Sequence, residues 1–179
     1  MSRFEFIFVL ISIVAGLALT RLLSGLTQSL RRSGREFDIA HILFSLAIVV
    51  LLFSIWWNSF RWEDNEVWTY TEYSLLCVYM SMFYAMAAIL HPLNSPAVPR
   101  FDGIRTQFYV AFILYQIVES LVVYIRDGNV AWDYLAVVIQ VGVLAAIGIY
   151  LRKSTFDKFL AAWILLTAIA LQFLSRMTG

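Results

Sequence analysis

An acidic residue, Glu119, lies within a long apolar stretch of the chain, with Gln116 and Ser120 beside it. An ionisable group inside a membrane segment is costly unless it faces a cavity, finds a partner or stays protonated. Burial favours the neutral acid, which suits a proton carrier or a group that binds a cation. The structural alternative is a protonated Glu119 that hydrogen-bonds across helices.

Small and polar residues recur at every fourth position near the N-terminus, which places them along one face of a helix. This line consists of Ser12, Gly16, Thr20, Ser24 and Gln28. Arg21 lies beside it. One interpretation is a groove for close helix packing. The other is one wall of an aqueous path, in which Arg21 attracts an anion or pairs with an acid.

A second polar line follows steps of four and three residues further along the chain. Its members are Tyr73, Cys77, Ser81, Tyr84, Ala88 and His91. Counting depth along antiparallel helices places Arg21 at the level of Tyr84, and Glu119 nearer that of Cys77. We therefore expect no direct Arg21–Glu119 ion pair, and we predict that the first four helices enclose a polar interior.

The two histidines, His41 and His91, are expected near the same membrane face, at the ends of adjacent helices. Converging imidazoles can bind a metal or haem, and they can also sense pH near neutrality. Their spacing does not select among these roles. The plainer alternative is that each ring only hydrogen-bonds or faces lipid headgroups.

Composition identifies the surroundings in which these residues must act. Of the 179 residues, 61% are hydrophobic and 14% are charged, against roughly 25% charged in a soluble domain. The net charge of +1 offers no basic surface for nucleic acid, and the lone Cys77 excludes an internal disulfide and any multi-cysteine metal centre. These numbers predict an all-α polytopic integral membrane protein whose partner is the lipid bilayer.

Six apolar runs approach the roughly 20 residues that a membrane-spanning helix needs, and they lack the alternation of membrane strands. The predicted spans of this single domain (1–179) are 5–29, 39–60, 70–91, 105–126, 132–151 and 156–175. A proline-rich connection, 92–103, separates three helices from three. The last two spans carry few polar residues, so we expect them to face lipid or another copy in a homo-oligomer.

The positive charges of the short connections predict the orientation of the bundle. Eight lie after spans one, three and five, namely Arg31, Arg32, Arg35, Arg100, Arg105, Arg152, Lys153 and Lys158. Four lie at the opposite face, namely Arg3, Arg61, Arg126 and Arg176. The first face is therefore predicted to be cytoplasmic and both termini to lie outside the cytoplasm.

Aromatic residues crowd the outer connection between the second and third spans. They include Trp56, Trp57, Trp62, Trp68, Tyr70 and Tyr73. An interfacial aromatic belt explains them, since indole and phenol rings favour the headgroup region. A site for a lipid, a quinone or a cation is the sharper alternative.

The segments SIVAGLALTRLLSGL (12–26) and WWNSFRW (56–62) resemble those of small polytopic bacterial inner-membrane proteins. This resemblance implies a bacterial inner-membrane location and no known activity.

The leading functional prediction is a small channel or transporter subunit that moves protons or a small ion through the polar interior of helices one to four. The first alternative is a membrane redox or cofactor-binding protein that uses His41 and His91, for example to bind haem, with a quinone or lipid against the outer aromatic residues. The second is a noncatalytic scaffold or sensor subunit. An enzyme is not favoured, because the chain carries no Walker, zincin or rhomboid-like motif.

Overall fold

The computed structural model describes residues 3–31, 38–63, 68–93 and 100–177, and these fold almost entirely as helix. The long helices are α1 (Arg3–Leu30), α2 (Ile39–Asn58), α3 (Tyr70–Leu90), α4 (Phe101–Asp127), α5 (Trp132–Leu151) and α6 (Ser154–Met177). A short 3-10 segment, Ser59–Trp62, follows α2. By length and composition, α1 to α5 can each cross a membrane, which is the make-up of a multi-pass membrane protein.

The helices begin and end within four residues of the predicted spans. The largest difference is at α4, which starts at Phe101 instead of residue 105. Arg105, counted above as a loop charge, consequently lies inside a helix. The predicted loop charges Arg32 and Arg35, and two prolines of the 92–103 connection, Pro96 and Pro99, lie outside the described residues.

One carboxylate, that of Asp38, determines where two of the helices begin. Its Oδ1 accepts hydrogen bonds from the backbone N–H groups of Ala40 and His41 at 3.1 and 3.3 Å, which caps α2. Its Oδ2 accepts from the N–H of Phe101 at 2.8 Å, whereas Arg100, the N-cap residue of α4, makes no side-chain capping bond. The starts of α2 and α4 are therefore joined at one end of the bundle, which we call the Asp38 end.

Helix α3 is central, since it packs against α1, α2 and α4, while α2 also packs along α6 and α4 along α5. The bulkiest fully buried side chains are aromatic and are followed in size by aliphatic ones. The aromatic ones include Phe44, Phe83, Phe108, Tyr109 and Tyr115. The Phe44 ring stacks on Phe101 at 4.5 Å and contacts Phe108 at 4.8 Å. Close packing of this kind matters in lipid, where apolar burial alone does not drive helices together.

The polar line on α1 does not face the interior of the helix bundle. Gly16, Thr20, Ser24 and Gln28 are exposed on the surface of the chain. A Cβ atom at Gly16 would have no atom within 4 Å. The buried face of α1 is instead apolar, with Ile11, Ala18 and Leu22 at its centre. The prediction that this line lines the interior of helices one to four is therefore wrong for the isolated chain.

The outer aromatic residues divide into two groups. Trp56, Trp57 and Tyr70 are exposed, which is the arrangement that an interfacial belt needs. Trp62 is buried and stacks on Trp68 at 5.4 Å. Trp62 therefore packs inside the bundle and does not contribute to an interfacial belt.

Candidate functional site

Glu119 lies among phenols contributed by three helices. The hydroxyl of Tyr79 on α3 donates a hydrogen bond to its Oε1 at 3.2 Å. The phenols of Tyr115 on α4 and Tyr134 on α5 also lie within interaction distance of this carboxyl. The Tyr79 and Tyr115 rings are nearly parallel, at 5.7 Å between centroids. We call these four residues, together with Gln116, the Glu119 cluster.

Three oxygens of the Glu119 cluster are buried and make no hydrogen bond of ordinary geometry in the part of the chain that the structure describes, although the two phenols among them lie close enough to the Glu119 carboxyl to interact with it. They are Tyr115 Oη, Tyr134 Oη and Gln116 Oε1. Tyr115 and Gln116 are only 2% and 7% exposed. A buried polar atom without a partner costs about 1–3 kcal/mol, so each such atom calls for an explanation, and a functional role is one such explanation. The Ser120 hydroxyl forms a hydrogen bond within its own helix, since its Oγ donates to the Gln116 backbone carbonyl at 2.9 Å.

This cluster brings together oxygen atoms of a carboxyl, an amide and three phenols from α3, α4 and α5. Oxygen donors are the ligands of hard cations, and phenols and carboxyls can pass a proton along a chain of hydrogen bonds. The spacing of Tyr115 and Glu119 was a usable signal, because residues four apart share a helix face. No comparable signal in the sequence connects Tyr79 and Tyr134 with Glu119.

Arg21 joins α1 to the end of α3. Its Nε donates to the backbone carbonyl of His91 at 2.7 Å, and its Nη1 donates to the Tyr84 hydroxyl at 3.0 Å. The guanidinium also lies 5.3 Å from the centre of the Tyr84 ring, in range for a cation–π contact. Arg21 and Tyr84 thus share a level, as the depth count predicted, and the described residues contain no Arg21–Glu119 ion pair.

The two histidines meet at the Asp38 end. His41 Nε2 lies 3.5 Å from His91 Nδ1, and the rings are edge-to-face at 4.8 Å. The Ser45 hydroxyl is 2.9 Å from the other ring nitrogen of His91. A Cβ atom at Gly25 would lie 2.1 Å from the His91 ring, so this approach requires glycine in α1. The missing side chain of Gly25 therefore leaves the space that the His91 ring occupies beside His41.

These contacts bear on the chemistry that the imidazoles can perform. Both ring nitrogens of His91 face a polar neighbour, so axial ligation of haem would require the ring to give up one of those contacts. Burial, followed by the influence of His41 and Arg21, lowers the pKa of His91 to about 3. The described residues contain no group of three or more His, Cys, Asp or Glu side chains placed to hold a metal ion.

Beside Arg21, a groove of about 370 Å³ opens between α1 and α3. Thr20, Ser24 and Gln28 supply one wall, and Tyr84 and His91 supply the other. We call it the Arg21 groove. The predicted residues Ser24, Gln28 and Tyr84 thus meet Arg21 on an outer surface of the chain. Ser81 is exposed and donates to the Cys77 carbonyl at 2.7 Å, outside both this groove and the Glu119 cluster.

The two polar regions are separated along α3. Tyr79 and His91 are twelve positions apart, which is about 18 Å along a helix. The α3 side chains that face inward over this length include Phe83, Met86, Ala87 and Leu90, all fully buried. Packed apolar side chains therefore occupy the interior between the Glu119 cluster and the histidines.

A buried ion pair at the Asp38 end was missed by sequence reasoning. Arg105 Nη2 and Nε donate to the Asp157 carboxylate at 2.6 and 3.0 Å, and Tyr109 donates to it at 2.8 Å. The two charged side chains are 7% and 2% exposed. From the sequence, Arg105 is predicted only as a loop charge, and no role is assigned to Asp157. Their positions one turn inside two helices that start at the same face were the available signal.

No family model matches the chain, and no curated protein or solved structure matches it significantly.

Proposed function

We propose that this protein is a small membrane transporter or channel subunit that moves protons, with Glu119 as the group that takes up and releases them. The observation that carries the proposal is the position of Glu119. Its carboxyl accepts a hydrogen bond from Tyr79 and lies within interaction distance of the Tyr115 phenol. The side-chain oxygen of Gln116, on the same helix, is buried without a hydrogen-bond partner among the described residues. An ionisable group placed in this way within a membrane segment is typical of proton relays.

A proton suits this interior better than a hydrated metal ion. The side chains between the Glu119 cluster and the Asp38 end are closely packed, among them Phe83 and Met86. A proton moves by rearrangement of hydrogen bonds and needs only intermittent water, whereas a hydrated ion needs a continuous pore. The proposal therefore predicts slow, saturable proton movement accompanied by small motions of α3 and α4.

Location and assembly belong to the same proposal. All six helices cross the membrane, the Asp38 end faces the cytoplasm, and the membrane is the bacterial inner membrane. Excess positive charge at the Asp38 end supports this orientation. The exposed apolar face of α5, with Ile139, Val143 and Ile147, is suited to lipid or to a second copy in a homo-oligomer.

Proton flux into liposomes tests this function directly. Purified protein is reconstituted with an internal pH dye, and a potassium gradient with valinomycin supplies the driving force. Glu119→Gln keeps the size of the side chain but removes the ionisable group, so flux should fall to the level of empty liposomes. Tyr79→Phe removes the hydrogen bond at 3.2 Å and should slow flux about tenfold.

Glu63→Gln is the matched control, because Glu63 is an exposed acid in the connection that follows α2. This variant should carry protons as fast as the wild type. Equal proton flux in the wild type and in Glu119→Gln would refute the proposal, provided that gel filtration shows both proteins to be folded. Wild-type protein that leaves the internal pH unchanged would do the same.

A further inference from the structure

The Arg21 groove has the features of an anion site at the edge of the bilayer. We propose that it binds the phosphate group of an anionic phospholipid. This inference does not depend on proton movement, since the groove lies on the outer surface of α1 and α3, away from Glu119.

The Arg21 side chain is held in place before any ligand arrives. Its bonds to the His91 carbonyl and the Tyr84 hydroxyl fix the plane of the guanidinium. A guanidinium carries more N–H donors than these two bonds use, so the remaining donors are free to meet phosphate oxygens. A preorganised arginine of this kind is well suited to a bidentate contact with phosphate.

The walls of the groove favour an anion. In the described part of the chain, no residue that lines it is acidic, and Arg21 forms no ion pair there. Thr20, Ser24 and Gln28 follow one another at every fourth position of α1, so their hydroxyl and amide groups face the same space. These groups can donate to the phosphate oxygens that Arg21 leaves free.

The position of the groove favours a lipid over a free anion. Arg21 reaches His91, the residue that follows the last residue of α3, and at the same end of the bundle Asp38 marks the starts of α2 and α4. Because one helix ends and two begin at this end, we infer that lipid headgroups surround it. Leu17 and Leu93, at the edges of the groove, are 56% and 77% exposed. They provide apolar surface for an acyl chain, and basic pockets between helices at this depth are typical lipid sites.

Lipid titration of the full-length protein tests the site. Detergent-solubilised protein is titrated with short-chain phosphatidylglycerol, with the matching diacylglycerol and with inorganic phosphate, and bound molecules are counted by native mass spectrometry. We expect phosphatidylglycerol to bind, and the two partial probes to bind at least tenfold more weakly. Arg21→Gln should raise the Kd for phosphatidylglycerol about tenfold, because one charge-assisted contact is lost.

Two further variants test whether the lipid binds in the groove itself or responds to any positive charge nearby. Ser24→Phe fills the groove from an exposed position and leaves the Arg21 charge in place, so it should weaken binding by a similar factor. Lys158→Gln removes an exposed positive charge near the same end of the bundle and should leave the Kd unchanged.

Three outcomes would overturn the proposal. Equal binding of phosphatidylglycerol by the wild type and both groove variants would show that lipid binds elsewhere. Inorganic phosphate bound as tightly as the lipid would identify a free anion as the ligand. Disulfide-linked dimers from Ser24→Cys in a Cys77→Ser background, with no lipid retained, would assign the groove to a second copy of the chain.

Discussion

The imidazole of His91 illustrates how neighbouring atoms determine what a residue can do. In sequence, His91 is a titratable group near a membrane face, and pH sensing is a natural hypothesis. In the structure its ring packs against Gly25 and contacts His41 and Ser45. The backbone carbonyl of His91 accepts a hydrogen bond from Arg21. Desolvation and a nearby positive charge both oppose protonation.

We therefore expect His91 to remain neutral throughout the physiological pH range. Its pKa of about 3 lies below the unperturbed value of 6.5, so the folded protein binds fewer protons than the unfolded chain between these values. The contribution of His91 to stability is thus unchanged above pH 6.5 and becomes unfavourable as the pH falls below it. Nitrogen chemical shifts of ¹⁵N-labelled histidine in detergent micelles, recorded from pH 8 to pH 4.5, measure this directly.

The His41→Gln variant assigns the two histidine signals in that experiment. The His91 signal should show no midpoint in the measured range. A midpoint near pH 6.5 would contradict the buried neutral ring and would revive the pH-sensor hypothesis.

At the scale of helices, the length and position of each element could be predicted, but the rotation of α1 could not. Six apolar runs specify six helices because a bilayer requires continuous hydrophobic length. Rotation is different, since in lipid both the buried and the outer face of a helix are apolar. The line from Gly16 to Gln28 was therefore readable as a pattern, while the side of the bundle that it faces was not.

The same reasoning explains which parts of the site could be predicted. Depth along a helix follows from a fixed rise per residue, so the shared level of Arg21 and Tyr84 was accessible by counting. The contacts between Tyr79, Tyr134 and Glu119 depend on how three helices are rotated about their axes. Asp157 was missed because a charge in a first helical turn resembles a solvated loop charge until its partner is known.

The Arg105–Asp157 pair should hold the starts of α4 and α6 together. Asp157→Asn leaves a buried guanidinium without its counter-charge, so we expect a loss of about 3–5 kcal/mol in the free energy of unfolding. Thermal unfolding in detergent measures the direction, and denaturant titration measures the size.

Asp102→Asn is the matched control for that measurement. Asp102 pairs with Arg100 at 3.5 Å, but both side chains are more than half exposed, so its loss should cost no more than about 1 kcal/mol. Similar destabilisation by the two substitutions would indicate that the buried pair does not clamp the helices.

At the scale of the whole molecule, the distribution of charge and the joining of helix ends favour one arrangement in the membrane. Contacts of Asp38 with Phe101, His41 with His91, and Arg105 with Asp157 bring the starts of α2, α4 and α6 to the same end as the end of α3. The excess of Lys and Arg lies at this end. The positive-inside rule therefore predicts that this end faces the cytoplasm, which is the orientation we propose.

Cysteine labelling of intact cells tests both this orientation and the sixth crossing. In a Cys77→Ser background, Asn129→Cys in the connection between α4 and α5 should react with a membrane-impermeant maleimide from outside. Ser154→Cys, at the start of α6, should react only after the cells are permeabilised. Thr178→Cys decides whether α6 crosses: external labelling would indicate six spans, whereas labelling only after permeabilisation would leave five. Reversal of the Asn129 and Ser154 results would refute the orientation, because every charge counted in its favour would then lie on the wrong side.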